Sequence, residues 1–219
     1  MSQAQSMKLY QTLRKTLLLS SLFVLLLITS AVKARADVIT FDSLEQAGTN
    51  LVHTTDPYTE GGYRIQNGGE LYFAQQSNTL YAGSAALHER ISNGLITLNR
   101  LDGSTFTLSS IDLSVLHPSG TSPAVVFTGF LAGGGTVTQT FNPTSFGFQT
   151  FVFSSAFSNL LSVTWRQGTD ELNAHQFDNI VVSSVPEPAT MLLLGTGLVG
   201  TAAQLRKRRK SKYETNCNT

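Results

Sequence analysis

Short runs of alternating apolar and polar residues fill the chain between residues 37 and 184, and Gly, Asn, Ser, Pro and Asp separate them. Such alternation is typical of half-buried β-strands, and the separating residues are the ones that turns require. Few stretches in this part of the chain could form a helix. About eleven short strands without a helical spacer therefore predict an all-β fold, an antiparallel β-sandwich or jelly roll.

The predicted strands cover residues 38–41, 62–66, 70–74, 85–88, 95–99, 105–115, 124–131, 136–141, 150–153, 160–166 and 176–182. Within residues 105–115 the apolar positions change phase at Ser109 and Ser110. This change predicts a β-bulge that returns the later side chains to the inward face. Glycine-containing segments predict hairpin turns at residues 67–69, 102–103 and 133–135.

Residues 37–184 are acidic, although the whole chain has a formal net charge of +1. They contain four arginines, no lysine and twelve carboxylates, which give a formal net charge of −8. Such a domain repels phosphate backbones and offers no basic patch for counterion release, so we exclude nucleic acid as a partner. The single cysteine, Cys217, lies outside this part of the chain, so the domain cannot form an internal disulfide or a thiolate metal site.

Residues 1–36 have the three parts of a secretory signal peptide. Arg14 and Lys15 precede an apolar run over residues 17–28, and Ala34 and Ala36 supply the small residues of a cleavage site. An uncleaved anchor is the alternative, but the run is shorter than the roughly 20 residues that a spanning helix needs. We expect export of the protein and cleavage after Ala36.

Residues 185–212 combine a stiff segment, an apolar segment and a basic cluster. Pro186, Glu187 and Pro188 form the stiff segment, because proline fixes its own φ and biases the preceding residue towards extended geometry. Residues 189–205 carry no charge and predict a transmembrane helix. The basic cluster contains Arg206, Lys207, Arg208, Arg209 and Lys210. By the positive-inside rule this cluster stays cytoplasmic, which leaves the domain on the outer side of the inner membrane.

This order of features resembles the PEP-CTERM sorting signal of Gram-negative bacteria. The resemblance implies that an exosortase, a membrane-embedded cysteine transpeptidase, cuts near Pro186-Glu187-Pro188, while the basic cluster acts as a stop-transfer signal. It also implies a final location at the cell surface or in the extracellular matrix of exopolysaccharide-producing, biofilm-forming cells. The alternative is an ordinary single-span anchor that nothing processes. Residues 213–219 continue beyond the cluster as a short polar tail.

The first and last predicted strands resemble the terminal strands of galactose-binding-like β-sandwich modules, through Phe41-Asp42 and Phe177-Asp178. In many such modules the two strands run side by side, and a carboxylate near the end of the last one helps to bind a structural calcium ion. The resemblance therefore implies a calcium site at Asp178 and Asp42. Calcium takes roughly six to eight oxygen ligands, so two carboxylates alone do not identify a site. The alternative is that both residues cap turns or accept backbone amides.

Every tyrosine of the domain falls within residues 49–81, namely Tyr58, Tyr63, Tyr72 and Tyr81. Sugar sites pair flat aromatic faces with polar groups that bond the hydroxyls, so this cluster predicts a ligand-binding site for a glycan. The alternative is that these tyrosines are ordinary residues of half-exposed strands. Trp165, by contrast, lies in a late strand and is predicted to belong to the core.

The sequence contains no recognisable catalytic motif, and we predict that the protein is not an enzyme. Glycosidase chemistry needs two carboxylates roughly 5 to 9 Å apart. Glu70 and Glu89 are the candidates for such a pair in this sequence. The four histidines occur singly, without a paired metal spacing. We favour a non-catalytic surface or matrix protein that binds exopolysaccharide or other surface partners. A secreted, glycosidase-like hydrolase with an unidentified active site is the alternative. Structural calcium is the one cofactor that the resemblance to galactose-binding-like modules implies.

Overall fold

The computed structural model describes residues 36–69, 71–90, 93–168, 170 and 172–184. Most of the predicted signal peptide lies outside these residues, and so do Pro186-Glu187-Pro188, the predicted transmembrane helix over residues 189–205, the basic cluster and the polar tail. Among the residues that the structure describes, no helix is long and apolar enough to cross a membrane.

Thirteen strands and one short 3-10 helix, Asp42–Leu44, make up the described part of the chain. The strands are β1 (Ala36–Ile39), β2 (Leu51–His53), β3 (Tyr58–Glu60), β4 (Tyr63–Gln66), β5 (Leu71–Ala74), β6 (Leu87–Glu89), β7 (Leu95–Arg100), β8 (Phe106–Val115), β9 (Val125–Leu131), β10 (Thr136–Phe141), β11 (Gln149–Val152), β12 (Leu160–Arg166) and β13 (His175–Ser184). The predicted all-β class is confirmed.

Each predicted strand overlaps one observed strand, and its ends differ from the observed ends by at most two residues. The sequence missed β2 and β3. Each of these strands has only three residues, which is too short for an alternating pattern to stand out.

Antiparallel pairing arranges the strands in two sheets. The front sheet has the strand order β10-β9-β12-β7-β4-β3. The back sheet has the order β11-β8-β13-β6-β5-β2, and β1 pairs with the same edge of β13 as β6 does. One residue pair, Phe106 of β8 with Leu160 of β12, joins the two sheets. The first and last strands therefore run side by side, as in galactose-binding-like modules.

Apolar side chains from both sheets meet in the core. The ring of Trp165 in the front sheet lies edge-on to that of Phe177 in the back sheet, with ring centroids 5.1 Å apart. The rings of Tyr63 on β4 and Phe106 on β8 meet at 5.5 Å in the same way. Trp165 is 1% exposed, which confirms its predicted position in the core. Because the inner faces of two sheets pack on each other, the fold is a β-sandwich, as predicted.

The register of β8 against β13 shifts twice. Ser109 is an extra residue on β8, and one extra residue beside Asn179 occurs on β13, where Asn179 has a φ of 45°. Leu108 and Ile111 lie on either side of the first shift and are both buried. The predicted bulge at Ser109 and Ser110 is therefore confirmed. The second insertion offsets the first, so the two strands stay paired over their full length.

Only one of the three predicted hairpins exists. Residues 133–135 join β9 to β10, and these two strands pair with each other. Residues 67–69 instead lead from β4 in the front sheet to β5 in the back sheet, and residues 102–103 lead from β7 to β8 in the same way. These two hairpin predictions are wrong, because glycine permits a positive φ wherever the chain reverses, whether or not the flanking strands pair.

The outer faces of the two sheets are covered differently. Ala74 on β5 follows the core residue Phe73, so its side chain lies on the outer face of the back sheet. There Ala74 packs with Leu80 in a second apolar cluster. Residues 75–86, which connect β5 to β6, thus cover part of the back sheet. The outer face of the front sheet, by contrast, has large apolar side chains exposed to solvent.

Candidate functional site

A groove of about 570 Å³ lies against the outer face of the front sheet. β9 contributes to this groove because Val125 and Phe127 point into the core, whereas the alternate residues Val126 and Phe130 are exposed. Typical ligand pockets have volumes of about 300–1,000 Å³, so the groove is large enough for a ligand. The residues that line it include Leu95, Val126, Thr128, Phe130, Thr164 and Arg166.

Strand register places the outward side chains of the front sheet in rows that cross the strands. The middle row, which we call the threonine row, consists of Thr138, Thr128, Thr164, Thr97 and Gln66, on β10, β9, β12, β7 and β4. Neighbouring strands lie about 4.8 Å apart, so the four hydroxyls of the row repeat at about this distance. Each hydroxyl can both donate and accept a hydrogen bond.

Further rows lie on both sides of the threonine row. One of them crosses all six strands and consists of Thr136, Phe130, Ser162, Asn99, Arg64 and Thr59. On the other side, Thr140 pairs with Val126, and Arg166 pairs with Leu95. None of these outward positions is Asp or Glu. The face therefore combines hydroxyl and amide groups, three apolar side chains and two arginines.

The three apolar side chains flank the threonine row. Phe130 is 40% exposed on one side of it, and Val126 and Leu95 are 49% and 42% exposed on the other side. Exposed side chains of this size are ordinary when single, but here three of them line one groove. A ligand that presents both apolar C–H groups and hydroxyls would match this arrangement.

Both arginines of the face are held by neutral partners. Arg64 donates a hydrogen bond from Nε to Oδ1 of Asn99 at 3.2 Å. Arg166 donates from Nη1 to the backbone oxygen of Asn93 at 2.8 Å. In the described part of the chain, neither guanidinium forms an ion pair with a carboxylate. Each therefore keeps its full positive charge available on the face.

Two of the four tyrosines predicted to bind a ligand lie in the core. Tyr58 is 6% exposed and Tyr63 is 2% exposed. The Tyr58 hydroxyl donates to Oε2 of Glu60 at 2.6 Å, and burial together with this bond raises the pKa of Tyr58 to about 12. Because their faces are covered by protein, neither ring is available for stacking on a ligand at the surface. Both side chains belong to the packed core, and a binding role for them stays a prediction.

Tyr72 and Tyr81 are partly exposed, but they do not belong to the groove. Tyr72 lies on β5 in the back sheet, with its ring centroid 5.0 Å from that of His53 and 5.6 Å from Cζ of Arg90. The Tyr81 hydroxyl donates to Oε1 of Glu45 at 2.5 Å, and burial and this bond raise the pKa of Tyr81 to about 12. A binding role for these two tyrosines stays a prediction.

The two aspartates predicted to bind calcium have different environments. Asp178 is 1% exposed and accepts hydrogen bonds from the Ser84 hydroxyl and from the backbone nitrogen of Asn179. Burial raises the pKa of Asp178 to about 6. Asp42 is exposed in the 3-10 helix. Within the described residues no group of three or more His, Cys, Asp or Glu could hold a metal ion, so these residues do not assemble the carboxylates of a calcium site, and calcium stays a prediction.

Of the two carboxylates named as candidates for glycosidase chemistry, one lies in the described part of the chain. Glu70 lies outside the described residues. Glu89 is 3% exposed and borders a cavity of about 20 Å³, which has room for about one water molecule and none for a sugar ring. His88 lines the same cavity. Burial lowers the pKa of His88 to about 4, so this imidazole is neutral at pH 7.

The chain is similar in structure to family 29 carbohydrate-binding modules. One such module from Piromyces equi has a TM-score of 0.42 and 14% sequence identity, and the match covers 70% of this chain and 93% of that chain. A mutant of a second family 29 module, CBM29-2, has a TM-score of 0.41 and 17% identity, over 69% of this chain and 87% of that chain. No curated protein matches the sequence. A likeness at this level assigns no ligand to the chain.

The sequence that follows β13 matches a family model. The matched residues are 184–209, and the model describes the PEP-CTERM protein-sorting motif. The match includes Pro186-Glu187-Pro188 and most of the basic cluster, as the sequence predicted. Such a motif implies export and processing by an exosortase. The chain thus carries a PEP-CTERM protein-sorting motif that begins at the last residue of the last strand of its β-sandwich.

Proposed function

We propose that this protein is an exported, non-catalytic component of the cell surface or extracellular matrix, and that its β-sandwich binds a polysaccharide along the outer face of the front sheet. The groove beside the threonine row is the observation that carries the proposal. The sorting motif at residues 184–209 supports the surface location, because an exosortase substrate leaves the cytoplasm.

The chemistry of the face suits a sugar chain. A pyranose ring presents apolar C–H groups on its faces and hydroxyls around its edge. Phe130, Val126 and Leu95 provide apolar surface for the rings, and the threonine row provides donors and acceptors for the hydroxyls. The rows cross up to six strands, so a polymer can lie across the sheet and contact several of them at once.

A secreted hydrolase is the second candidate, and the face offers less support for it. Glycoside hydrolysis uses a pair of carboxylates about 5 to 9 Å apart that flank the bond to be cut. The outward positions of the front sheet contain neither Asp nor Glu. A ligand in this groove would therefore be bound without a carboxylate pair from these strands.

The first prediction tests the groove with two substitutions inside it and one control substitution outside it. Phe130→Ala and Val126→Ser remove apolar surface from the groove, and we expect each to weaken polysaccharide binding by about tenfold. Val152→Ser is the control, since Val152 is 68% exposed on β11 of the back sheet. Affinity gel electrophoresis of the full chain against soluble glucans, mannans, xylans and polyuronates measures the effect. If the groove variants and the control bind equally well, the face is not the binding site.

A further inference from the structure

The charges of the domain are distributed unevenly between its surfaces. Residues 37–184 carry twelve carboxylates and four arginines. The outward positions of the front sheet contain none of the carboxylates but two of the arginines, Arg64 and Arg166. An otherwise acidic domain thus presents one locally positive face, and the groove lies on it.

The other two arginines have different surroundings. Arg100 forms an ion pair with Asp102, with Nη2 and Oδ2 2.8 Å apart. Arg90 lies over the ring of Tyr72 on the back sheet, 5.6 Å from its centroid. Among the described residues, Arg64 and Arg166 are the two arginines on the outer face of the front sheet, and both donate to neutral partners.

The two guanidiniums keep hydrogen-bond donors for a ligand. The bond of Arg64 to Asn99 uses Nε, which leaves both of its Nη groups. The bond of Arg166 to Asn93 uses one Nη group, which leaves the other and Nε. Two adjacent donors on a planar guanidinium match the two oxygens of a carboxylate. Each side chain is also held in place before a ligand arrives, which lowers the entropic cost of binding.

The positions of the arginines fit a chain of sugars. They lie in rows on opposite sides of the threonine row, four residues apart along β12 and two strands apart across the sheet. Strand geometry puts their Cα atoms about 17 Å apart. A polymer that lies across the threonine row can therefore reach both guanidiniums with different sugar units.

We propose that the front face selects acidic polysaccharides, and that Arg64 and Arg166 each bind the carboxylate of a uronic acid unit. This inference rests on the proposed function, because it names the class of glycan that the same groove takes. The remaining carboxylates of the domain repel such a polymer from a distance. At physiological ionic strength this repulsion is screened beyond about 8 Å, so the arginines that touch the polymer decide its binding.

The experiment compares a charged and an uncharged form of one polymer. Polygalacturonate and its fully methyl-esterified form share a backbone, and only the first carries carboxylates. We expect the full chain to bind polygalacturonate about a hundredfold more tightly than the ester, since each of the two arginines contributes about tenfold. Arg64→Gln and Arg166→Gln should each remove about tenfold of that preference, and the double variant about a hundredfold, chiefly by weakening the binding of polygalacturonate. Arg90→Gln is the matched control and should bind both polymers as the wild type does.

The outcomes separate this inference from the proposed function. If the wild type binds both polymers equally, or if the two arginine variants behave like Arg90→Gln, selection of acidic glycans is wrong while polysaccharide binding stands. If the wild type binds neither these polymers nor any neutral polysaccharide, both proposals fail. Thermal unfolding of each variant identifies any that does not fold, and Arg166→Lys then provides a second test. Lysine keeps the charge but loses the planar pair of donors, so it should retain only part of the preference.

Discussion

At the scale of single residues, the buried histidines are the least expected feature of the domain. The sequence presents its histidines one at a time, but the structure places His88 on β6 and His175 on β13 within electrostatic reach of each other. Both are fully buried, at 2% and 0% exposed. Burial lowers the pKa of His88 to about 4, helped by nearby Arg90, and burial and His88 lower the pKa of His175 to about 3.

These shifts predict a domain that loses stability in mild acid. In an unfolded chain both histidines take up protons below pH 6.5, whereas in the folded domain they stay neutral to about pH 4. The unfolded state therefore binds more protons in this window, and the free energy of unfolding falls as the pH falls. Asp178 acts in the opposite direction, because its folded pKa of about 6 lies above its ordinary value of 3.8. The effect of the two histidines is larger than that of the one aspartate, so we expect the free energy of unfolding still to fall as the pH falls.

Urea unfolding at pH 7 and pH 4.5 measures this effect. We expect a lower midpoint at pH 4.5, and a smaller difference between the two midpoints in His88→Gln than in the wild type. His117→Gln is the control, because His117 lies in the partly exposed loop after β8. An equal acid-induced loss in the wild type and in His88→Gln would show that the buried imidazole is not responsible.

At the scale of elements, β9 shows how tightly the front sheet packs. Gly129 occupies an inward position of β9, where a Cβ would lie 2.7 Å from Cδ2 of Leu160 and 3.0 Å from Cγ1 of Val137. We expect Gly129→Ala to lower the free energy of unfolding by about 1–3 kcal/mol, because the core has no space for the added methyl group. Gly133→Ala is the matched control.

Gly133 lies in the adjoining hairpin, where an added Cβ meets nothing within 4 Å. That substitution should leave stability unchanged or raise it slightly, since alanine restricts the unfolded chain. Urea unfolding of the two variants side by side makes the comparison. If Gly129→Ala is as stable as Gly133→Ala, the packing around Leu160 yields to the added methyl group.

The elements also show what the sequence could and could not predict. Alternation identified most strands, and the phase change at Ser109 identified the bulge, because both are local properties of the chain. Pairing is not local, so the turns at residues 67–69 and 102–103 were taken for hairpins although they connect the two sheets. The threonine row depends on the register of five strands at once. No single strand reveals this row, whereas the four tyrosines are close together in the sequence and so form a cluster that the sequence alone shows.

At the scale of the whole molecule, the first and last described residues of the domain lie next to each other. Ala36 pairs with Ser183 at the end of the β1–β13 ladder. The sorting motif begins at residue 184, the last residue of β13. Cleavage after Ala36 would remove the pair of Ala36 with Ser183 and keep Asp37 opposite Val182. The strand that leads into the motif belongs to the back sheet, whereas the groove lies on the outer face of the front sheet.

The last prediction concerns sorting, which acts on the molecule as a whole. If the motif is a processing signal, the stiff Pro186-Glu187-Pro188 segment is what the exosortase reads, while the apolar segment and the basic cluster hold it at the membrane. Replacing these three residues by alanines leaves residues 189–205 and the basic cluster intact. Insertion and orientation in the inner membrane should therefore survive, and release of the domain should fail.

Neutralising Arg206, Lys207, Arg208, Arg209 and Lys210 should have the opposite effect, because we expect the basic cluster, and not the tripeptide, to stop transfer of the chain. Retention at the membrane should weaken while the recognition segment stays unchanged. Cell fractionation and the apparent mass of the domain follow both variants in a host that carries an exosortase, with a host that lacks the enzyme as the control. Equal processing of the wild type and of the triple-alanine chain would mean that the tripeptide is not the signal. The protein would then be better described as a β-sandwich held permanently at the membrane, and the groove would bind its polysaccharide within the reach of that tether.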